Sequence, residues 1–321
     1  MNKSDINFTS LNRLKKRFVK DYNLPINLFD DGMFTYYRHL YDFFPHETYT
    51  SLIEKVGKEY GGNVEKWLDY CAKVRDNAIF GIMESEEYKK FNSTDLKNYT
   101  VSLPTGERSA YTEETDGHRY VSIDMKKANF QVLKYMGVLK DDTYEDFIRR
   151  NGGDEYISGS KYLRQVIFGK LNPGRQIKIE RYLMHEVYMV IDAMMREYGL
   201  TLFSFNNDEI IYHNEFPDFD ASTLCPEITG AAKRNTGIDV TAEYVEISRL
   251  PIVSYNESKV DAYERLNLVT GERKLKKAST IFFPQIYKLW KGMEIEENDL
   301  YFWAENQIAK FKYPLRMEKA E

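Results

Sequence analysis

Cysteine is scarce in this sequence: the 321 residues include two, Cys71 and Cys225. They are far apart and make neither a disulfide framework nor a metal-ligand spacing. That excludes a disulfide-stapled scaffold and fits a reducing, cytoplasmic setting. No stretch of about 18 apolar residues occurs, so no membrane span is expected. The opening MNKSDINFTS has no apolar h-region, and no secretory signal is expected. Residues 30–93 hold no glycine-rich phosphate loop, and no internal repeat is visible anywhere. Positive charge is also short, with a net charge of −5. Phosphate contacts need cations, so this counts against a nucleic-acid binder unless the basic residues are clustered.

What is present is a globular composition. Charged residues make up 30%, and there are 25 Tyr and 19 Phe. The length suits two domains or one large one, with room for a sizeable core. Residues 30–93 read as mostly helical, with Tyr36, Leu40, Phe43 and Phe44 at helical spacing, then Trp67, Cys71, Val74, Ala78 and Ile79. Leu11–Lys20 reads as a basic amphipathic helix, either a solvated face or a phosphate contact. Residues 93–116 are polar, with Pro104-Thr105-Gly106 as a turn, and Tyr99–Leu103 reads as a strand.

The most informative stretch is Leu202-Phe203-Ser204-Phe205-Asn206-Asn207-Asp208-Glu209-Ile210-Ile211-Tyr212-His213. Two apolar runs around a polar turn predict a β-hairpin. The tip then carries Asp208 and Glu209. An acidic turn is one reading. A seat for divalent cations is the other, because Mg²⁺ is held by one or two carboxylates together with substrate phosphates.

A second carboxylate lies upstream. Tyr120–Ile123 predicts a strand, Asp124 stands at its end, and Ala128, Val132 and Tyr135 begin a helix. Asp124 either points into a cleft or caps that helix. Residues 141–150 read as helical. Gly152-Gly153-Asp154-Glu155 follows and is similar to the signature of diguanylate cyclases, which would use Asp154 and Glu155. That signature needs a strand on each side, and the flanking residues read as a loop context instead.

Between residues 160 and 181 stand Lys161, Arg164, Lys170, Arg175, Lys178 and Arg181 against one acid, Glu180. Lys161 and Arg164 share a helix face. Such a face suits a triphosphate or is merely solvated. Leu171-Asn172-Pro173-Gly174 breaks the helix. A long helix over 176–198 is predicted, with Ile177, Leu183, Val187, Val190, Ile191 and Met194 as its apolar stripe and Gly199 as its C-cap. Beyond the hairpin, Glu227–Thr236 predicts a helix, Val240–Ile247 a strand, and 260–275 a hairpin turning at Thr270-Gly271-Glu272. Phe282–Met293 and Leu300–Lys312 predict helices, and the aromatic tail with Trp290 and Trp303 reads as core, stacking platform or docking surface.

In chain order these pieces resemble family A DNA polymerases and their single-subunit RNA polymerase relatives. Ile123-Asp124 resembles the first motif, Lys161, Arg164, Phe168 and Gly169 the fingers helix, and Asn207-Asp208-Glu209 the His-Asp-Glu hairpin. Ser122–Lys127 is also similar to the first motif of reverse transcriptases. The resemblance covers about residues 117–250. It departs where Asn207 replaces His and where the fingers helix stops at Leu171–Gly174, and no proofreading exonuclease pattern is found.

The resemblance implies an α+β fold. A helical region over 1–95 would precede a palm over 96–250, an antiparallel sheet with flanking helices and a fingers insertion at about 140–182. A C-terminal hairpin and helices would occupy 251–321. It implies a compact, virus-like polymerase or polymerase subunit in the (host) cytoplasm, using two Mg²⁺ or Mn²⁺ ions. Asp124 and Asp208 would bridge both ions, with Glu209 assisting or binding the primer end. Lys161, Arg164 and Lys170 would bind the nucleotide, and Arg175, Lys178 and Arg181 the nucleic-acid backbone. Partners would be nucleoside triphosphates, DNA or RNA, and a subunit supplying a thumb or processivity function, with no membrane. A catalytically degenerate palm that only binds is the alternative.

Overall fold

A computed structural model describes residues 8–216 and 219–318. Most of the segment in which a secretory signal was sought, residues 1–7, lies outside that range. The fold is α+β, with a helical N-terminal part and an antiparallel sheet. The chain divides into two compact units that interleave in sequence. One holds residues 1–91, 138–173 and 296–312, the other 92–137, 174–295 and 313–321. Elements are numbered along the chain.

The first unit is helical. Its N-terminal run comprises α1 (Phe8–Asp21), α2 (Asp31–Leu40), α3 (His46–Tyr60), α4 (Val64–Met83) and α5 (Glu86–Ser93). Asp30 caps α2 by accepting from Met33 N–H, and Asn63 caps α4 by accepting from Lys66 N–H. Trp67, Cys71, Val74, Ala78 and Ile82 form the buried stripe of α4, with Ile82 rather than Ile79 as its last member. On α2 the buried residues are Phe34, Tyr37 and Leu40. Tyr36 is half-buried beside that stripe, and Phe43 is exposed because α2 ends at Leu40 and extended backbone at Tyr41 breaks the helical spacing.

Later segments complete this unit with α7 (Tyr144–Arg150), α8 (Glu155–Gly159) and α9 (Lys161–Gly169). Beneath them lies a polar knot. The Asp21 carboxylate, fully buried, accepts from Arg17 Nε at both oxygens (3.0 and 2.9 Å), from Tyr156 Oη at 2.9 Å and from Ser160 Oγ at 2.5 Å. Ser160 also caps α9 by accepting from Leu163 N–H. The predicted helix over 300–312 is instead a hairpin, β8 (Tyr301–Ala304) with β9 (Gln307–Lys310). Tyr301, Phe302 and Trp303 are good strand formers. Glu305 and Asn306, at φ 48° and 64°, supply the two left-handed positions of a tight hairpin turn.

The second unit is built on a six-stranded sheet. Strand β1 (His118–Met125) leads through α6 (Ala128–Tyr135) and the 25-residue α10 (Pro173–Glu197) to the hairpin β2 (Leu200–Phe205) and β3 (Glu209–Asn214). Then come α11 (Leu224–Thr236), β4 (Val240–Arg249), β5 (Ile252–Val253), β6 (Tyr263–Asn267), β7 (Arg273–Lys276), α12 (Phe283–Trp290) and β10 (Arg316–Met317). The spatial order is β2-β3-β1-β4-β6-β7, with every pairing antiparallel. Both helical crossovers, β1 to β2 and β3 to β4, therefore skip a strand, which makes a double split β-α-β arrangement. The predicted strand at 99–103 is absent. Leu96–Tyr99 forms one 3₁₀ turn capped by Asp95.

Alternation sorts the sheet residues. Val121, Ile123, Met125, Ile210, Tyr212, Val240 and Tyr244 are buried on one side. That side meets helices: Tyr212 Oη donates to Asp192 of α10 at 3.1 Å, and Tyr188 packs edge-on to Phe205. The opposite face is apolar at one end, where Tyr120, Ile211, Val245, Ile247 and Tyr263 pack with Ala110. At its other end the face turns polar. A smaller cluster of Ile252, Ala262, Ile286 and Leu315 seats α12 and the β5–β10 pair.

Candidate functional site

The polar end of the open face is the candidate site. Ser122 and Asp124 project there from β1 because Val121, Ile123 and Met125 take the helix side. The register sets Asp124 opposite Glu209 of β3, and Ser122 opposite Glu243 of β4. Met125 N–H donates to the carbonyl of Asp208 at 2.8 Å. Two stretches more than eighty residues apart thus bring Asp124 and Glu209 onto adjacent strands, with Asp208 in the turn just before β3. Asp124 lies inside β1, and the helix cap position belongs to Lys127, so the capping role for Asp124 is excluded.

The hairpin tip is held from several sides. Asn206 N–H donates to Glu209 C=O at 2.8 Å. Arg181 on α10 donates from Nε and Nη2 to Asn207 Oδ1 at 3.2 and 2.8 Å. Arg181 also lies 3.8 Å from Glu107. Ser122 Oγ donates to Glu209 Oε1 at 2.7 Å.

Asp124 reaches solvent, yet protein atoms surround its carboxyl at longer range. That desolvation, with the charges of Asp208 and Glu209 added, pushes its pKa up to about 6, and Arg265 offsets part of the effect. Arg265 itself pairs with Glu243 at 2.6 Å. Burial and the neighbouring Arg265 and Lys274 lower the pKa of Lys276, against the pull of Glu209 and Glu243. Burial raises the pKa of Tyr111, whose hydroxyl meets Arg265.

The donors at this end are carboxylate oxygens, the kind that Mg²⁺ and Mn²⁺ take. Among the described residues, no group of three or more His, Cys, Asp or Glu side chains is gathered closely enough to hold an ion. Asp124 and Asp208 fit the sparser pattern, one or two carboxylates completed by substrate phosphates. Glu209, bonded to Ser122, is turned to the protein.

The basic residues separate. Lys161, Arg164 and Lys170 belong to the helical unit: Lys161 opens α9 and is exposed, Arg164 lies over the Tyr144 ring at 5.8 Å, and Lys170 caps α9. Arg175, Lys178 and Arg181 lie on α10 in the sheet unit. Arg175 donates to the carbonyl of Thr94, Arg181 is engaged with Asn207, and Lys178 is half-buried. Of the predicted stripe on α10, Leu183, Val187 and Ile191 are buried, Val190 and Met194 half-buried and Ile177 exposed, while Gln176 and Ile179, outside that stripe, are buried. The Gly152–Glu155 stretch sits between helices α7 and α8, with Asp154 capping α8 and paired with Lys55 at 2.5 Å. The strands that the cyclase signature needs are not there.

No family model matches this sequence, and no curated protein is significantly similar to it.

Four participants escape sequence reasoning: Glu180, Glu243, Arg265 and Lys276. The last three come from β4, β6 and β7, which are joined to β1 in succession by tertiary register. Glu180 did leave a signal. It falls in line with Gln176, Leu183, Val187 and Ile191, an acid in an apolar stripe. It is 5% exposed and accepts from Asn129 Nδ2 at 2.8 Å. Burial, with Asp208 nearby, raises its pKa to about 7.

The sign of that shift makes a test. Raising a carboxyl pKa means that the folded chain disfavours the ionised form. The cost is absent below the ordinary carboxyl range and complete above pH 7, at most roughly 3 kcal/mol. Glu180→Gln should therefore raise the urea midpoint at pH 8.5 and leave it unchanged at pH 4.5. An equal shift at both pH values would contradict the assignment.

Proposed function

We propose that the open sheet face carries out Mg²⁺-dependent nucleotidyl transfer, as in a compact nucleic acid polymerase or a subunit of one. One observation carries this reading: the β1–β3 register that sets Asp124 against Glu209, with Asp208 bonded through its backbone to the next residue of β1. Crowded like charges at a strand end are unfavourable unless a cation or substrate uses them.

Asp124 and Asp208 would hold the cations, and bound divalent ions at such a site stabilise the attacking and leaving oxygens of a phosphoryl displacement. Glu209, fixed by Ser122, would orient the face that receives the acceptor hydroxyl. The Arg265–Glu243 pair sets the local charge balance beside Asp124. Lys178, on the helix that supports the hairpin, would meet a backbone phosphate. Arg181 would act by holding Asn207, and Arg175 is committed to Thr94. The triphosphate role for Lys161, Arg164 and Lys170 rests on their residue types and on the resemblance.

Purified protein should extend a primed DNA or RNA template with labelled nucleoside triphosphates when Mg²⁺ or Mn²⁺ is present, and not in EDTA. Strand binding without incorporation under every metal and substrate combination would favour a non-catalytic binding role. Metal affinity has its own readout. A divalent ion favours the ionised form of Asp124, which is largely protonated below about pH 6. The rise in Tm produced by about 10 mM Mg²⁺ should thus be larger at pH 8 than at pH 5. A pH-independent rise would point to ion binding elsewhere.

A further inference from the structure

We infer that the helical unit carries a docking surface for single-stranded nucleic acid, formed by α1 and the start of α9. The two helices pack against each other. Helix α1 contains Arg13, Lys15, Lys16, Arg17 and Lys20, and its one acid, Asp21, is fully buried and satisfied by Arg17, Tyr156 and Ser160. The charge of Asp21 is thus spent inside the protein, and the outer face of α1 is left cationic.

Other cations of this unit give the contrast, two of them on α1 itself, where Arg13 is paired and the buried Lys15 meets Asp31 at 2.5 Å. Arg13 pairs with Glu65, Lys55 with Asp154, Arg149 with Asp146 and Arg150 with Asp141. Among the described residues, no such pair is found for Lys16, Lys20, Lys161 or Arg164. Lys16, Lys20 and Lys161 are exposed. Four unneutralised cations on one pair of helices, in a chain of net charge −5, make a local phosphate-binding field.

Aromatic rings are interleaved with these cations. Lys16 Nζ lies 5.6 Å from the centre of the Phe29 ring, and Lys20 Nζ lies 5.7 Å from that of Tyr162, which Arg17 approaches at 5.2 Å. Both rings are half-buried, each with an ammonium group beside it. Lys16 and Lys20 are one turn apart, about 6 Å along the axis, a spacing close to that of successive phosphates in an extended strand. Cations that follow a backbone, with rings for the bases, are the components of a single-strand site. The surface does not depend on the carboxylates of the sheet unit.

The experiment is fluorescence anisotropy with a labelled single-stranded oligonucleotide across a salt series. It is run in EDTA with the Asp124→Asn/Asp208→Asn protein, so that binding is read apart from catalysis and metal. In that background Lys16→Ala/Lys20→Ala should weaken binding at least tenfold at low salt. It should also flatten the plot of log K against log salt by about 1.4, since each lost single-strand phosphate contact removes about 0.7. Tyr162→Leu should weaken binding with the slope unchanged. Lys58→Ala, remote in sequence and paired with Glu54, serves as control, and an unchanged Tm shows that each variant is folded. Unchanged affinity and slope in the double-lysine variant would overturn the proposal. So would tighter binding to anionic lipid vesicles or to duplex of the same length.

Discussion

Asp208→Asn is expected to cut metal-dependent nucleotide incorporation by at least about a hundredfold, the scale seen when a preorganised electrostatic partner is removed, while the Tm holds or rises. The two readouts diverge for a physical reason. Asp208 is exposed at the hairpin tip, and its contribution to the fold is a backbone carbonyl that accepts from Met125 N–H. Asparagine keeps that carbonyl. What it removes is a negative charge that crowds Asp124 and Glu180. Without it the pKa values of both should fall, so the stabilisation is expected above pH 6 and should vanish near pH 4. Asp124→Asn should behave alike. A loss of activity accompanied by a lower Tm would mean that the acids support the fold. Unaltered incorporation in either variant would reject the proposed reaction.

The largest loss of stability is expected at the opposite kind of carboxylate. Asp21→Ala should destabilise the helical unit by about 3–5 kcal/mol, the cost of leaving a buried charge without its partner. Arg17 would keep its guanidinium in place with no counter-ion, and the hydroxyls of Tyr156 and Ser160 would lose their acceptor. Replacing both charges, as in Arg17→Met/Asp21→Leu, should restore part of that loss, because an apolar pair needs no compensation. Recovery should stay incomplete, since Tyr156 and Ser160 still lack an acceptor. Urea unfolding of the wild type, Asp21→Ala and the double variant measures the recovery. If the double variant is as unstable as Asp21→Ala alone, the cost lies in the hydroxyls and not in the guanidinium.

The contrast between these two acids explains what could be read from the sequence. The hairpin at 202–213 was legible because two apolar runs enclose an Asn-Asn turn, and local chemistry decides such turns. Asp124 was legible because a strand-forming run ends there and a helical period begins within four residues. Those signals are short-range. Arg265, Lys276 and Glu243 reach the same end of the sheet only through the β1–β4–β6–β7 register, which no local pattern encodes. The resemblance implies a backbone-phosphate role for Arg181, whereas its guanidinium is engaged with Asn207. Local period also misled. A helix is expected over 300–312, but the aromatic run Tyr301–Trp303 is strand-forming and the left-handed Glu305–Asn306 pair closes it into a hairpin. Ile177 belongs to the stripe by hydropathy, yet the helix buries Gln176 and Glu180 beside it.

The interleaving of the two units bears on the order in which the chain can mature during synthesis. The helical unit takes its first residues from 1–91 and its last from 296–312. Tyr36 donates to Asp299, a fully buried residue that also caps its own turn by accepting from Glu296 N–H. The N-terminal helices therefore leave the ribosome well before a segment they pack with. At about 5–20 residues per second, roughly 200 intervening residues would keep that part incomplete for some ten to forty seconds. Fragments ending before residue 296 should consequently be prone to aggregate, whatever their helix content.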